Sequence, residues 1–428
     1  MSARWARRFA LGGLALLIAA PALAEGRLPM VFRLRREATA AVRAGDGALA
    51  RARMTEALAL IPTHPGVLLG AARLTAPLDP AGAVALVERY ARLGFFLDIT
   101  ADETLALLAA RPDFTDVAER LASNREPVGQ LSPIAALPGA PLAEGVAYDP
   151  KRERLLVSQV HGRKIVAVAT DGTVSDFTPA ADDLWSLFGI VADPQARALW
   201  ALTSATDQTR DLAPEARGPT ALLRIDLDTG KVLARHAPPD DGTKRQLGDL
   251  TLAPDGTIYA ANSLGGEIWR LKPHAKDLDL LVRSEEIGSA QGLAISPDGK
   301  ALLVADYPSG LHRIDLATAE VTSVALPADL SLIGADGVLR DGEALIVVQN
   351  GVTPQRVLRL SISPDGREVG RAEVLAANLP DLDEPTGGVL RGRDFVFVAR
   401  SQWSDFGPNG QPRDRLAPAK VMSLRIAP

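Results

Sequence analysis

The stretch Gln291-Gly292-Leu293-Ala294-Ile295-Ser296-Pro297-Asp298-Gly299-Lys300-Ala301-Leu302-Leu303-Val304-Ala305-Asp306 decides the fold. Two short apolar runs flank a Pro-Asp-Gly turn. Proline presets φ for the turn and glycine accepts the positive φ that a tight hairpin needs. The stretch therefore reads as a β-hairpin. The same unit recurs, starting at Glu144-Gly145-Val146, Phe188-Gly189-Ile190, Gly248-Asp249-Leu250, Gln291-Gly292-Leu293, Asp336-Gly337-Val338 and Gly387-Gly388-Val389. Successive starts lie 43 to 60 residues apart, and an Asp-, Arg- and Pro-rich insertion at 205–219 accounts for the longest gap. Each unit continues with a turn, a second strand such as Ile258-Tyr259-Ala260, and two further strands. Four short strands per unit, six times over, predict a mainly β chain folded as a six-bladed β-propeller. The last unit runs short of chain for its outer strand. Ser132 to Leu137, ahead of the first unit, are expected to supply it and close the ring.

The chain has 428 residues, 47% hydrophobic and 23% charged, with a net charge of −5. Acidic and basic residues are spread evenly, which excludes a nucleic-acid footprint of clustered Lys and Arg. There is no cysteine. Disulfides, thiolate metal sites and a cysteine nucleophile are therefore excluded. No His-Glu-x-x-His, Gly-x-Ser-x-Gly or phosphate-cradling glycine loop is present.

Three regions are expected. Residues 1–24 read as a signal peptide: Arg4, Arg7 and Arg8, an apolar run from Phe9 to Ala20, then Ala22-Leu23-Ala24 before Glu25. The apolar run is short for a bilayer span, so an uncleaved anchor is the weaker alternative. This reading predicts a periplasmic protein that leaves the membrane once the signal is removed. Residues 25–125 change to helical period, rich in Ala, Leu and Arg. Gly45-Asp46, Ala57-Leu58 and Pro62 resemble one tetratricopeptide repeat, with a degraded second copy. The region is read as a small helical domain capping its neighbour, or as a platform for a protein partner. His64, in a Pro-bounded turn, is expected at the surface. Residues 126–428 form the propeller.

In such a ring the residue before each inner strand points to a shared axis. Here those residues are Glu144, Phe188, Gly248, Gln291, Asp336 and Gly387, with Asp249 beside Gly248. Carboxylates and an amide oxygen gathered at the mouth of a closed ring suit a hard divalent cation. Equally, such groups can cap strands or hold axial water. Loops after the second strands should line the same face and offer His161, Asn262, Asp306, Asn350, Arg400 and Gln402. Trp185, Phe188 and Trp403 are read as an apolar rim.

Glu144-Gly145-Val146-Ala147-Tyr148-Asp149, Gln291 to Gly299 and Asp336-Gly337-Val338 resemble the regucalcin/gluconolactonase family of six-bladed propellers over residues 130–428. That resemblance implies one divalent metal on the axis, held by a Glu, two Asn and an Asp. Glu144 and Asp336 match the Glu and the Asp, and Asp336 is by the same resemblance implied in activating water. Gln291 stands where the family has Asn. Gly248 stands where it has the second Asn, followed by Asp249 at a matching Asp. The substrate-binding Arg of the family aligns with Gln246, one position from Arg245. The implied activity is metal-dependent hydrolysis of a lactone or related ester. Calcium is the first choice of ion, with zinc, magnesium or manganese as alternatives. A non-catalytic propeller that binds a ligand or a partner protein is the competing reading, favoured by the loss of a side chain at Gly248.

Overall fold

The computed structural model describes residues 25–179 and 184–426. The signal-peptide reading falls on residues 1–24, outside the described residues. Among the described residues are α-helices at Arg27–Arg43, Gly47–Leu60, Pro65–Thr75, Pro80–Arg92 and Thr115–Ser123. Three of them start alike. Asp46 accepts from Leu49 N at 2.9 Å and Asp79 from Gly82 N at 2.9 Å, each satisfying an amide that the first helical turn leaves unpaired. His64 does the same through Nδ1, accepting from Gly66 N at 3.1 Å, with Pro65 in the first turn. The expectation of a surface histidine is thus corrected: His64 is 7% exposed. Burial, then Arg35, pushes its pKa down to about 4, which keeps Nδ1 an acceptor. The first helix carries Pro29 in its first turn, where no amide hydrogen is needed. Within the helical region, Ala106–Ala110 form a tighter 3₁₀ turn.

Six four-stranded antiparallel sheets follow, as the repeat predicts. The fourth blade is typical: Ala290–Ile295, Ala301–Asp306, Gly310–Asp315 and Val321–Ser323. In the sixth, Leu131–Leu137 pairs with Ala419–Arg425, Leu131 opposite Leu424 and Leu137 opposite Ala419. The ring is therefore closed by hydrogen bonds between the two ends of the propeller. The insertion at 205–219 leaves its blade and returns through a neck, Ala205 N to Pro219 O at 2.8 Å and Gly218 N to Ala205 O at 2.9 Å.

One irregularity recurs. Five inner strands lose register at the same point: between Ala143 and Val146, Leu187 and Ile190, Leu247 and Asp249, Ala290 and Leu293, and Ala335 and Val338. A bulge of this kind re-aims a side chain. It turns Glu144, Phe188, Gln291 and Asp336 toward the axis, where neighbouring inner strands nearly touch. A Cβ on Gly292 would lie 2.3 Å from Val338 N, and one on Gly189 would lie 2.9 Å from Gly248 O. At Gly189 and Gly292 a side chain would therefore collide with the neighbouring inner strand.

The helices sit on one face of the propeller. Arg27 N donates to Glu286 Oε1 at 2.6 Å, Phe96 N to Thr353 O at 2.8 Å, and Asn378 Nδ2 to Asn124 O at 2.9 Å. Residues 286, 353 and 378 all lie in loops on the face where the inner strands begin.

Candidate axial metal site

The same face opens into an axial cavity of about 330 Å³. Glu144, Asp249, Gln291 and Asp336 line it, with Phe188, Gln246, Gly248 and Asn350. Below it a narrower apolar cavity of about 160 Å³ runs between the inner strands, past Val146, Ile190, Leu293 and Val338. Asp249 borders both.

Three of the polar groups have a defined hold. Trp403 Nε1 donates to Glu144 Oε2 at 2.7 Å. Asn350 Nδ2 donates to Asp336 Oδ2 at 2.6 Å and to Pro385 O at 3.0 Å. Gln291 Nε2 donates to Ser289 Oγ at 2.9 Å, and its amide oxygen is an acceptor that could also ligate a cation. Burial raises the pKa of Glu144, Asp249 and Asp336, because a confined carboxylate loses hydration. Glu144 is raised further by Asp336 and Asp249, and Asp336 by Asp249. The cavity thus gathers negative charge that only a cation or protons can balance.

Among the described residues no group of three or more His, Cys, Asp or Glu side chains is placed to hold a metal ion. A cation here would need amide oxygens as well. Asn350 supplies one: its Oδ1 is buried and has no hydrogen-bond partner, while its nitrogen is fully used. An orphaned buried acceptor beside a carboxylate is costly unless something positive meets it. The donor set of Glu144, Asp336, Asn350 and Gln291, all oxygen, fits a hard divalent ion. Gly248 adds no side chain, and its Cβ position is taken by Ser263 Oγ, 2.2 Å away.

Five residues expected at the site face elsewhere. Arg245 is 5% exposed and is held by Glu267 and Asp241, both at 2.7 Å. His161 meets Gln208 O at 2.7 Å and the Phe406 ring edge. Arg400 pairs with Asp383 at 3.4 Å. Asn262 accepts from Gln246 N at 2.9 Å, and Asp306 from Ser289 N at 2.6 Å. The last two brace the backbone behind lining residues. The reason is register: Asn262 and Asp306 end their strands, and the residues that follow, Ser263 and Tyr307, reach the cavity instead. Asn350 is the residue after its strand, Ala344–Gln349, and does line the cavity. Gln402 is also buried away from it, bonded to Leu142 N and Ala417 O. Of the expected rim, Phe188 and Trp403 are lining residues, whereas Trp185 lies under the Arg235 guanidinium. Glu384 completes the wall without any signal in the repeat pattern.

The model of the SMP-30/gluconolactonase/LRE-like region matches residues 142–379. This chain belongs to that family. The match takes in Glu144, Asp249, Gln291, Asp336 and Asn350, and leaves out the helical region and the sixth blade. No curated protein matches the chain. Similar solved structures include a gluconolactonase from Xanthomonas campestris, 17% identical, covering 70% of this chain and 98% of that one with a TM-score of 0.46. A calcium-binding regucalcin from Agrobacterium tumefaciens is 16% identical, covering 70% and 93% with a TM-score of 0.47. A luciferin-regenerating enzyme is 15% identical, covering 70% and 95% with a TM-score of 0.49.

Proposed function

We infer that this protein is an exported, metal-dependent hydrolase of a lactone or related ester, working at the propeller axis in the periplasm. Family membership supports the reaction class. The observation that carries the metal is the unpartnered Asn350 Oδ1 beside Asp336 and across from Glu144. Glu144, Asp336, Asn350 and Gln291 would hold the ion, and their oxygen donors favour calcium over softer metals. A bound divalent ion supplies Lewis-acid polarisation of the ester carbonyl. Asp336 would orient or deprotonate the attacking water, its carboxylate fixed by the Asn350 amide. Trp403 keeps Glu144 in place. Phe188 and Trp403 would cover the ring of the substrate. Glu144, Asp249, Asp336 and Glu384 line the cavity, and among the described residues no Lys, Arg or His lines it. An anionic substrate group would find no partner among these side chains and would have to be met by the bound cation itself.

Gly248, which lacks a donor, favours a second reading, a propeller that binds a ligand without turning it over. Metal analysis of the purified protein and of Asp336→Ala, combined with lactone hydrolysis in added calcium, zinc or manganese, separates the two. Stoichiometric metal lost in the variant together with turnover supports the hydrolase. Metal or ligand binding without turnover supports the second reading, and absence of stoichiometric metal and turnover overturns the first.

A further inference from the structure

The helical region and the axial cavity meet in one loop, residues 350–355, between the second and third strands of the fifth blade. Asn350 enters the cavity and holds Asp336. Gly351 N donates to Gly334 O at 3.1 Å, two residues from Asp336. Tyr307 lies against Gly351, so closely that a Cβ there would sit 2.5 Å from its hydroxyl. Val352 turns the other way. It is buried in the same apolar cluster as Leu93, Phe95 and Leu105 of the helical region. Thr353 O accepts from Phe96 N at 2.8 Å. Gln355 turns back, its Oε1 accepting from Glu384 N at 2.8 Å. Three of the loop's residues thus support lining residues and two engage the helices.

The residue that follows locks this arrangement. Arg356 is 3% exposed, with its guanidinium 4.8 Å over the Phe95 ring. It donates to Leu93 O at 3.0 Å, to Gln349 Oε1 at 2.7 Å and to Ser331 O. Every one of these partners is neutral. A buried cation held only by neutral oxygens tolerates one geometry, since any lost bond leaves uncompensated charge. The interface therefore has a defined register and cannot slide.

We propose that the helical region is a working part of the axial site. Through residues 350–355 it sets the positions of Asn350, Tyr307 and Glu384, and with them the affinity of the cavity for its cation. A surface loop is ordinarily among the least stable parts of a fold. Here packing on its far side removes that freedom before a ligand arrives, which is preorganisation. Val352, Phe95 and Arg356 act as positioning residues, since none of them lines the cavity.

The cation arm of the test rests on the metal reading above, and the exchange arm does not. Full-length wild type, Val352→Ala, Val352→Ile and Phe95→Leu are compared by ligand-free hydrogen exchange and by terbium titration. The proposal expects faster exchange in Val352→Ala and Phe95→Leu at Glu384 and across 334–338, with the first two blades unchanged and Val352→Ile close to wild type. Terbium affinity should fall about 10-fold in the same two variants, as when a supporting shell is loosened. Faster exchange confined to the helices and 350–355, with affinity unchanged, overturns it. If wild type binds no terbium, the metal reading fails and the exchange pattern alone decides the coupling. Val352→Ala alters one methyl pair of the apolar cluster, and Phe95→Leu serves if it does not fold.

Discussion

The indole nitrogen of Trp403 donates to Glu144 Oε2 at 2.7 Å, across 259 residues of chain. Trp403 comes from the loop between the last two strands of the sixth blade and Glu144 from the bulge of the first. Closure of the ring is what brings them together. A metal held by Glu144 would therefore lie close to an indole. Excitation of tryptophan should sensitise terbium emission in wild type. Trp403→Phe should remove most of that emission and weaken binding by about 10-fold. Glu144→Gln should weaken it at least as much. Unchanged emission in Trp403→Phe would place the ion elsewhere.

Asp336 is set among like charges. Its raised pKa, like those of Glu144 and Asp249, means that the folded state binds more protons than the unfolded chain. The sign follows: without metal, stability is full below the ordinary carboxylate range and falls as pH rises through the raised values. Melting temperature in chelator should drop across that window. Asp336→Asn should flatten part of the drop, and added calcium should reverse it in wild type only. The same variant should lose about 100-fold or more of any hydrolytic activity, the usual worth of a positioned base.

His64 titrates in the opposite sense. Its pKa is lowered from 6.5 to about 4 by burial, so the unfolded chain takes up the proton first. Its contribution is complete above pH 6.5 and is lost as pH falls toward 4. His64→Ala should cost about 1 kcal/mol at neutral pH, as for other helix caps. His64→Asp should keep the cap and remove that part of the acid dependence. Urea denaturation between neutral and acid pH checks both.

Gly292 tests the packing of the inner strands. Alanine there would put its Cβ 2.3 Å from Val338 N, backbone against backbone. Gly292→Ala should destabilise by at least about 3 kcal/mol, the upper end for overpacking, or fail to fold. Gly299→Ala, at a turn with φ of 74° and nothing within 4 Å, should cost less, near the 1 kcal/mol of a strained left-handed residue. Equal losses in urea midpoints would contradict this account of the repeat.

The six blades were legible because a blade is a local unit: four strands and their turns lie within some 45 residues, and the alternation repeats. For the same reason the repeat itself puts Glu144, Gln291 and Asp336 on the axis and the closing strand near Ser132 to Leu137. Other features were decided only by tertiary structure. Arg245 and Gln246 are neighbours in the loop leading into the strand Leu247–Leu252, where no strand alternation fixes side-chain direction and only folded contacts sort them. So Gln246 lines the cavity while Arg245 joins Glu267 and Asp241. Asn262 and Asp306 missed the cavity by that same single step. Glu384 and the seating of the helices beside the axis depend on packing between segments far apart in the chain, for which sequence periodicity holds no signal. Asn350 belongs to both accounts. Its place after a second strand marked it as a candidate, but its free oxygen beside Asp336 exists only because the folded ring and the helices hold residues 350–355 between them.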